Sequence, residues 1–139
     1  MTIELVPLCT MTAVLRPPHV LAKTPVGARW IFEVESGKAD GDRLQATLKG
    51  QANGDWMTIG PDGTGTLDVR ALMETDDGAL IFVHYTGRTD LSGGPGKPLY
   101  SAPQFETGDE RYRWLNSVQA IGKGSFDGST LVYEVYEVR

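Results

Sequence analysis

Apolar and polar residues alternate along much of this chain. Over 66–75, Leu67, Val69, Ala71 and Met73 are interleaved with Asp68, Arg70, Leu72 and Glu74; over 79–87, Ile81, Val83 and Tyr85 are interleaved with Leu80, Phe82 and His84. A period of two sends successive side chains to opposite faces of a sheet, so these runs read as strands. The same pattern predicts strands over 29–35, 43–49, 55–59, 112–121 and 130–138, with a further run over 99–106 and one or two within 3–15. No segment carries a convincing amphipathic-helix period.

Between these runs stand five Asx-Gly pairs: Asp40-Gly41, Asn53-Gly54, Asp62-Gly63, Asp77-Gly78 and Asp127-Gly128. Each is a candidate for a two-residue type I′ hairpin, which needs positive φ at both central positions, and Gly, Asn and Asp adopt it most readily. Consecutive hairpins make a meander. Eight to ten such strands would leave two long edges unless the sheet closed on itself, so the predicted fold is a single-domain antiparallel up-and-down β-barrel, with a two-sheet sandwich as the alternative. Pro103 within its run suggests a bulge or an unpaired edge, and Gly122 and Gly124 suggest a bend.

Two stretches break the meander. Residues 16–28, with Pro17, Pro18 and Pro25, read as a loop, and so do 88–98, which contain Ser92-Gly93-Gly94-Pro95-Gly96. The second is not a phosphate loop, because Leu91 stands where that motif needs its first Gly and Pro98 replaces its Ser or Thr. It is either a loop over the barrel mouth or an ordinary connection.

Composition narrows the class. A chain of 139 residues suits one domain, 1–139, and a net charge of −5 argues against nucleic-acid binding. The one cysteine, Cys9, forms no internal disulfide, residues 1–15 lack the basic start of a signal peptide, and no run approaches a spanning helix. The expectation is a soluble cytoplasmic protein with no membrane partner. His19 and His84 show no metal-ligand spacing, so neither a metal nor a cofactor is expected, and no nucleophile motif surrounds Cys9, Ser101 or Ser117.

Two-residue loops at Asp62-Gly63 and Asp77-Gly78 would set Asp55, Arg70 and Tyr85 in one row across three strands, with Asp68 two residues along on the same face. A three-residue first loop would put Trp56 opposite Asp68 instead. An Arg flanked by carboxylates, beside a Tyr, has the parts to bind a ligand carrying a carbonyl or carboxylate, or to leave one carboxylate as a general base. The same row on an outer face would be a cross-strand charge ladder of small energetic consequence.

The blocks Gly54-Asp55-Trp56, Leu67-Asp68-Val69-Arg70, Thr75-Asp76-Asp77-Gly78-Ala79, Pro103-Gln104-Phe105-Glu106-Thr107-Gly108, Tyr112-Arg113-Trp114-Leu115-Asn116 and Val135-Tyr136-Glu137-Val138 resemble, in order, the pattern of domain-of-unknown-function family 3237. These are uncharacterised small bacterial and fungal proteins. The resemblance implies a compact β-barrel without assigned catalytic residues, and it marks Asp55, Asp68, Arg70, Glu106, Trp114 and Asn116 as positions of the family pattern.

The leading expectation is a small-molecule barrel, of the cofactor-free isomerase, lyase or cyclase kind. Asp68, Arg70 and Glu106 would be catalytic, and Asp55, Tyr85, Trp114 and Asn116 would bind the ligand. The alternatives are a non-catalytic carrier or sensing barrel and a structural or oligomerising module, with self-association left open.

Overall fold

The computed structural model describes residues 1–139. Eleven strands form: β1 Leu5–Leu15, β2 His19–Thr24, β3 Gly27–Asp40, β4 Gln45–Leu48, β5 Gly54–Ile59, β6 Thr64–Thr75, β7 Leu80–Asp90, β8 Leu99–Ser101, β9 Gln104–Glu106, β10 Ala120–Phe126 and β11 Thr130–Val138. Every pairing is antiparallel, and β6, β7, β8, β10, β11, β1, β3 and β5 follow one another around a closed ring of eight strands. Closure removes the edges that an open meander would expose. The extra strands are short: β2 extends β3, β4 bridges β3 and β6, and β9 pairs with β7.

Alternation decides what lies inside. Leu67, Val69, Ala71 and Met73 of β6, Ile81, Val83 and Tyr85 of β7, and Tyr133 and Val135 of β11 are buried, and they merge with Phe32, Met57 and Phe105 into one core. Leu44 and Leu115 add to this core with almost no exposed surface. Burying such a side chain fully contributes about 2 kcal/mol.

The turns differ from the expected type I′ pairs. No residue other than glycine has positive φ, so no two-residue Asx-Gly turn of that type exists. The β5–β6 and β6–β7 connections are three-residue loops, Pro61-Asp62-Gly63 and Asp76-Asp77-Gly78, closed by the N–H of Gly63 on the Gly60 carbonyl and that of Gly78 on the Thr75 carbonyl. Glycine takes the left-handed position in each, at φ +85° and +93°. At the β10–β11 turn the loop is Gly128-Ser129, with Gly128 at φ +105°. Asp40 and Gly54 lie within strands. Asn53 is buried, its Oδ1 accepting the Leu72 N–H at 2.8 Å and its Nδ2 donating to the Gly50 carbonyl at 3.1 Å.

Two element assignments are also corrected. The expected strand over 112–121 is mostly a 3₁₀ helix, Glu110–Ser117, capped by the Asp109 carboxylate on the Arg111 N–H. Leu115 is its one buried side chain, a single anchor that strand alternation would not supply. The expected loop over 16–28 contains β2: Pro17 and Pro18 interrupt the chain after β1, which then resumes alongside β3 as an edge strand.

Candidate functional site

The register of three strands builds an acid–phenol cluster inside the barrel. Asp55 of β5 lies opposite Val69 of β6, and Val69 lies opposite Tyr85 of β7. All three side chains are buried. Each three-residue loop moves its hairpin by one position from the expected register, and the two shifts cancel between β5 and β7. Asp55 and Tyr85 therefore do share a row, but the residue between them is Val69.

The same shift turns Asp68 and Arg70 outward, correcting the expectation that they face the interior together. Arg70 is exposed, and Asp68 is half-exposed, its carboxylate 3.4 Å from Nε2 of His84. An unpaired Arg inside would cost several kcal/mol, whereas outside it stays hydrated. Glu106 is exposed on β9, opposite Phe82. Trp114 and Asn116 lie on the 3₁₀ helix, away from Asp55. Asn116 acts as a latch, accepting the Thr107 N–H at 2.8 Å and donating to the Thr107 carbonyl at 3.0 Å. Of the seven candidates, only Asp55 and Tyr85 bring their side chains into the interior together; Asp68 meets Asp55 through its backbone N–H.

Asp55 is 9% exposed, and its Oδ1 accepts the backbone N–H of Asp68 at 3.0 Å. Burial pushes its carboxyl up to about 6, opposed by that hydrogen bond and reinforced by the nearby Asp68 charge. Tyr133 of β11 stands across the interior, its ring edge-on to Tyr85 at 5.8 Å between centroids. Burial raises both phenols above the ordinary tyrosine value, with the Asp55 charge adding to the effect. Both hydroxyls thus remain proton-bearing groups at neutral pH. The Tyr133 hydroxyl and Ser101 Oγ are buried without a well-aligned hydrogen bond, and the polar groups nearest the Tyr133 hydroxyl are those of Tyr85 and Ser101.

Tyr133 and Ser101 were not among the candidate site residues read from the sequence. A signal existed. Leu131, Tyr133 and Val135 alternate with Val132, Glu134 and Tyr136, and the charged Glu134 fixes which set faces outward. Gly122 and Gly124 are not a bend but seats for the Tyr133 ring. A Cβ at Gly124 would lie 2.5 Å from Tyr133 Cδ1, and one at Gly122 would lie 2.6 Å from Ser101 Oγ.

Asp55, Tyr85 and Tyr133 line a cavity of about 60 Å³ whose other walls are mainly apolar, including Val69, Ala71 and Leu48. It has room for a few water molecules. Its lining continues outward to Lys38, a surface residue, where Leu48 packs over Gly37. No group of three or more His, Cys, Asp or Glu side chains is placed to hold a metal ion. The arrangement is equipped for proton transfer: a carboxyl pushed up to about 6 beside two hydroxyls in a mainly apolar cavity.

Residues 3–138 match the family model described as "Protein of unknown function (DUF3237)". The UPF0311 protein blr7842 of Bradyrhizobium diazoefficiens is 28% identical over 145 residues, covering 93% of this chain and 92% of that protein. A β-barrel-like protein of Acinetobacter baumannii AYE has a solved structure that superposes with a TM-score of 0.88 at 28% identity, covering 100% of this chain and 98% of that one. The hydroalkoxylation enzyme phnH of Penicillium herquei is 42% identical over 65 residues, 47% of this chain and 38% of that protein. A solved structure of an enzyme from the same fungus has a TM-score of 0.77 at 25% identity, covering 99% of this chain and 94% of that one.

Proposed function

The chain belongs to the DUF3237 family of proteins of unknown function, and on that footing we propose that it is an acid–base enzyme whose barrel interior receives the reacting end of a neutral, largely apolar small molecule. One observation carries this reading: a buried carboxyl with a raised pKa shares a mainly apolar cavity with two buried phenols. Such pairs of titratable groups, held apart from water, are the usual equipment of general acid–base sites. The fungal relative named for hydroalkoxylation, addition of an O–H group across a carbon–carbon double bond, supports chemistry that needs only proton transfer.

In this chemistry Asp55 acts in its protonated form, giving its proton to one alkene carbon while the substrate oxygen bonds to the other. The oxygen's proton then returns to the Asp55 carboxylate, so an intramolecular addition is a balanced isomerisation. The Tyr133 hydroxyl holds the substrate oxygen, and Tyr85 packs against Tyr133 to fix its ring. A carboxylate-bearing ligand is disfavoured, because Arg70 lies outside and the single cation along the cavity, Lys38, is at its surface end. A bulky-ligand carrier is disfavoured too: about 60 Å³ falls well below the several hundred Å³ of typical drug-sized sites. The remainder of the substrate would enter past Leu48.

The test is conversion of an ortho-prenylated phenol to its cyclic ether, followed by chromatography. The expected result is turnover that Asp55→Asn lowers by about 100-fold or more, the range of one general acid. Equal rates for wild type and Asp55→Asn, or no turnover by either, would overturn the assignment.

A further inference from the structure

A second concavity, about 690 Å³, lies outside the barrel among the 3₁₀ helix, the segment after β3 and the end of β11. Its volume is within the range of small-molecule sites. It shares no lining residue with the interior cavity, and Leu44 and Leu115, the chain neighbours of its Arg43 and Trp114, are buried in the core.

Arg43, Arg111 and Arg139 all border this cleft, in a chain of net charge −5. Their hydrogen bonding separates them. Arg111 is engaged on every nitrogen: Nε and Nη2 on the Asp109 carboxylate at 3.0 and 2.9 Å, and Nη1 on the Asp77 carbonyl at 3.0 Å. It is a structural tie between the 3₁₀ helix and the β6–β7 turn. Arg43 and Arg139 instead share one carboxylate. Arg43 Nη2 bonds Glu137 Oε2 at 2.8 Å, and Arg139 reaches the same group through Nε and Nη2, each at 3.2 Å. Glu137 is itself only 13% exposed as a side chain, so it anchors both guanidiniums at the cleft. Nε and Nη1 of Arg43 and Nη1 of Arg139 bond no other protein group.

Two guanidiniums on one carboxylate leave unused N–H donors at the cleft. Beside them, Arg43 lies over the Trp114 ring, 4.9 Å from its centroid, so a cation–π pair forms part of the cleft wall. Guanidinium planes pair with carboxylates through parallel N–H donors and stack on aromatic faces, a combination lysine does not offer. From this we infer a second binding site, in which Arg43, Arg139 and Trp114 take a planar aromatic carboxylate. The acid group meets the free N–H edges, and the ring lies against the Arg43–Trp114 pair. This gives Trp114 a ligand role at a place remote from Asp55.

The probe is 2-naphthoate, with 2-naphthalenemethanol as the uncharged ring and inorganic phosphate as the ringless anion, followed by calorimetry and ¹⁵N NMR. The expected result is saturable naphthoate binding that shifts the Trp114 indole and the 43–44 and 137–139 amides, with the other two probes at least about tenfold weaker. Arg43→Gln and Arg139→Gln should each weaken naphthoate by about tenfold while keeping a dispersed, native-like spectrum. Arg43→Lys should rescue little, since it restores charge without the fork. Asp55→Asn should leave naphthoate binding unchanged, which separates this site from the interior one. Absence of naphthoate shifts in the cleft, phosphate binding of equal strength, or undiminished binding in a folded Arg43→Gln would overturn the inference.

Discussion

Asp55 is where burial and chemistry meet. Its folded pKa, about 6, lies above the ordinary carboxylate value of 3.8, so the folded state prefers the protonated form. The stability this brings is fully present below about pH 4 and is lost as pH rises through about 6, by roughly 3 kcal/mol in all. Asp55→Asn keeps the oxygen that accepts the Asp68 N–H but cannot ionise. Denaturant unfolding at pH 4 and pH 8 should therefore show wild type losing about 2–3 kcal/mol more than the variant between those values. An equal loss in both proteins would place the titration elsewhere. Arg70 gives the contrasting case on the outer face: Arg70→Met should change stability by less than about 0.5 kcal/mol, measured in the same way.

Among the hairpins, loop length rather than loop composition sets the register. Gly63 and Gly78 both sit at positive φ, but their surroundings differ. A Cβ at Gly78 meets nothing within 4 Å, whereas one at Gly63 would lie 2.6 Å from the Ser92 Cα. Gly78→Val should cost about 1 kcal/mol through backbone strain alone. Gly63→Val should cost about 3 kcal/mol, because the segment after β7 must also move. Denaturant midpoints of the two variants check this, and equal midpoints would mean that the Ser92 contact carries no weight. In β10, the glycines facing Tyr133 are specified by the ring they seat, so their small size serves the site rather than the strand.

For the whole molecule, closure is the decisive property. β11 joins β1 on one side and β10 on the other while carrying Tyr133 into the interior. Removing residues 130–138 should open the ring, expose two edges and abolish the cooperative unfolding transition seen by circular dichroism. A shortened chain that still unfolds cooperatively would show that the remaining strands close without β11. The 3₁₀ helix and its Asn116 latch add to the closed ring, which keeps the outer cleft and the inner cavity apart.

Alternation along 66–75, 79–87 and 130–138 determined strands, and their number with so few helical signals determined a closed β fold, since a period of two is a local property of the backbone. The family pattern likewise marked Asp55. The sequence did not fix which face points inward at Asp68 and Arg70, because one residue of loop length reverses it and both two- and three-residue loops accept Asp-Gly. That choice belongs to the assembled barrel, where burying Val69 is favourable and burying an unpaired Arg70 is not. The Asp55–Tyr85 row of the acid–phenol cluster was legible, but its third member was not: Tyr133 lies 78 positions along the chain from Asp55, and only ring closure makes the two neighbours.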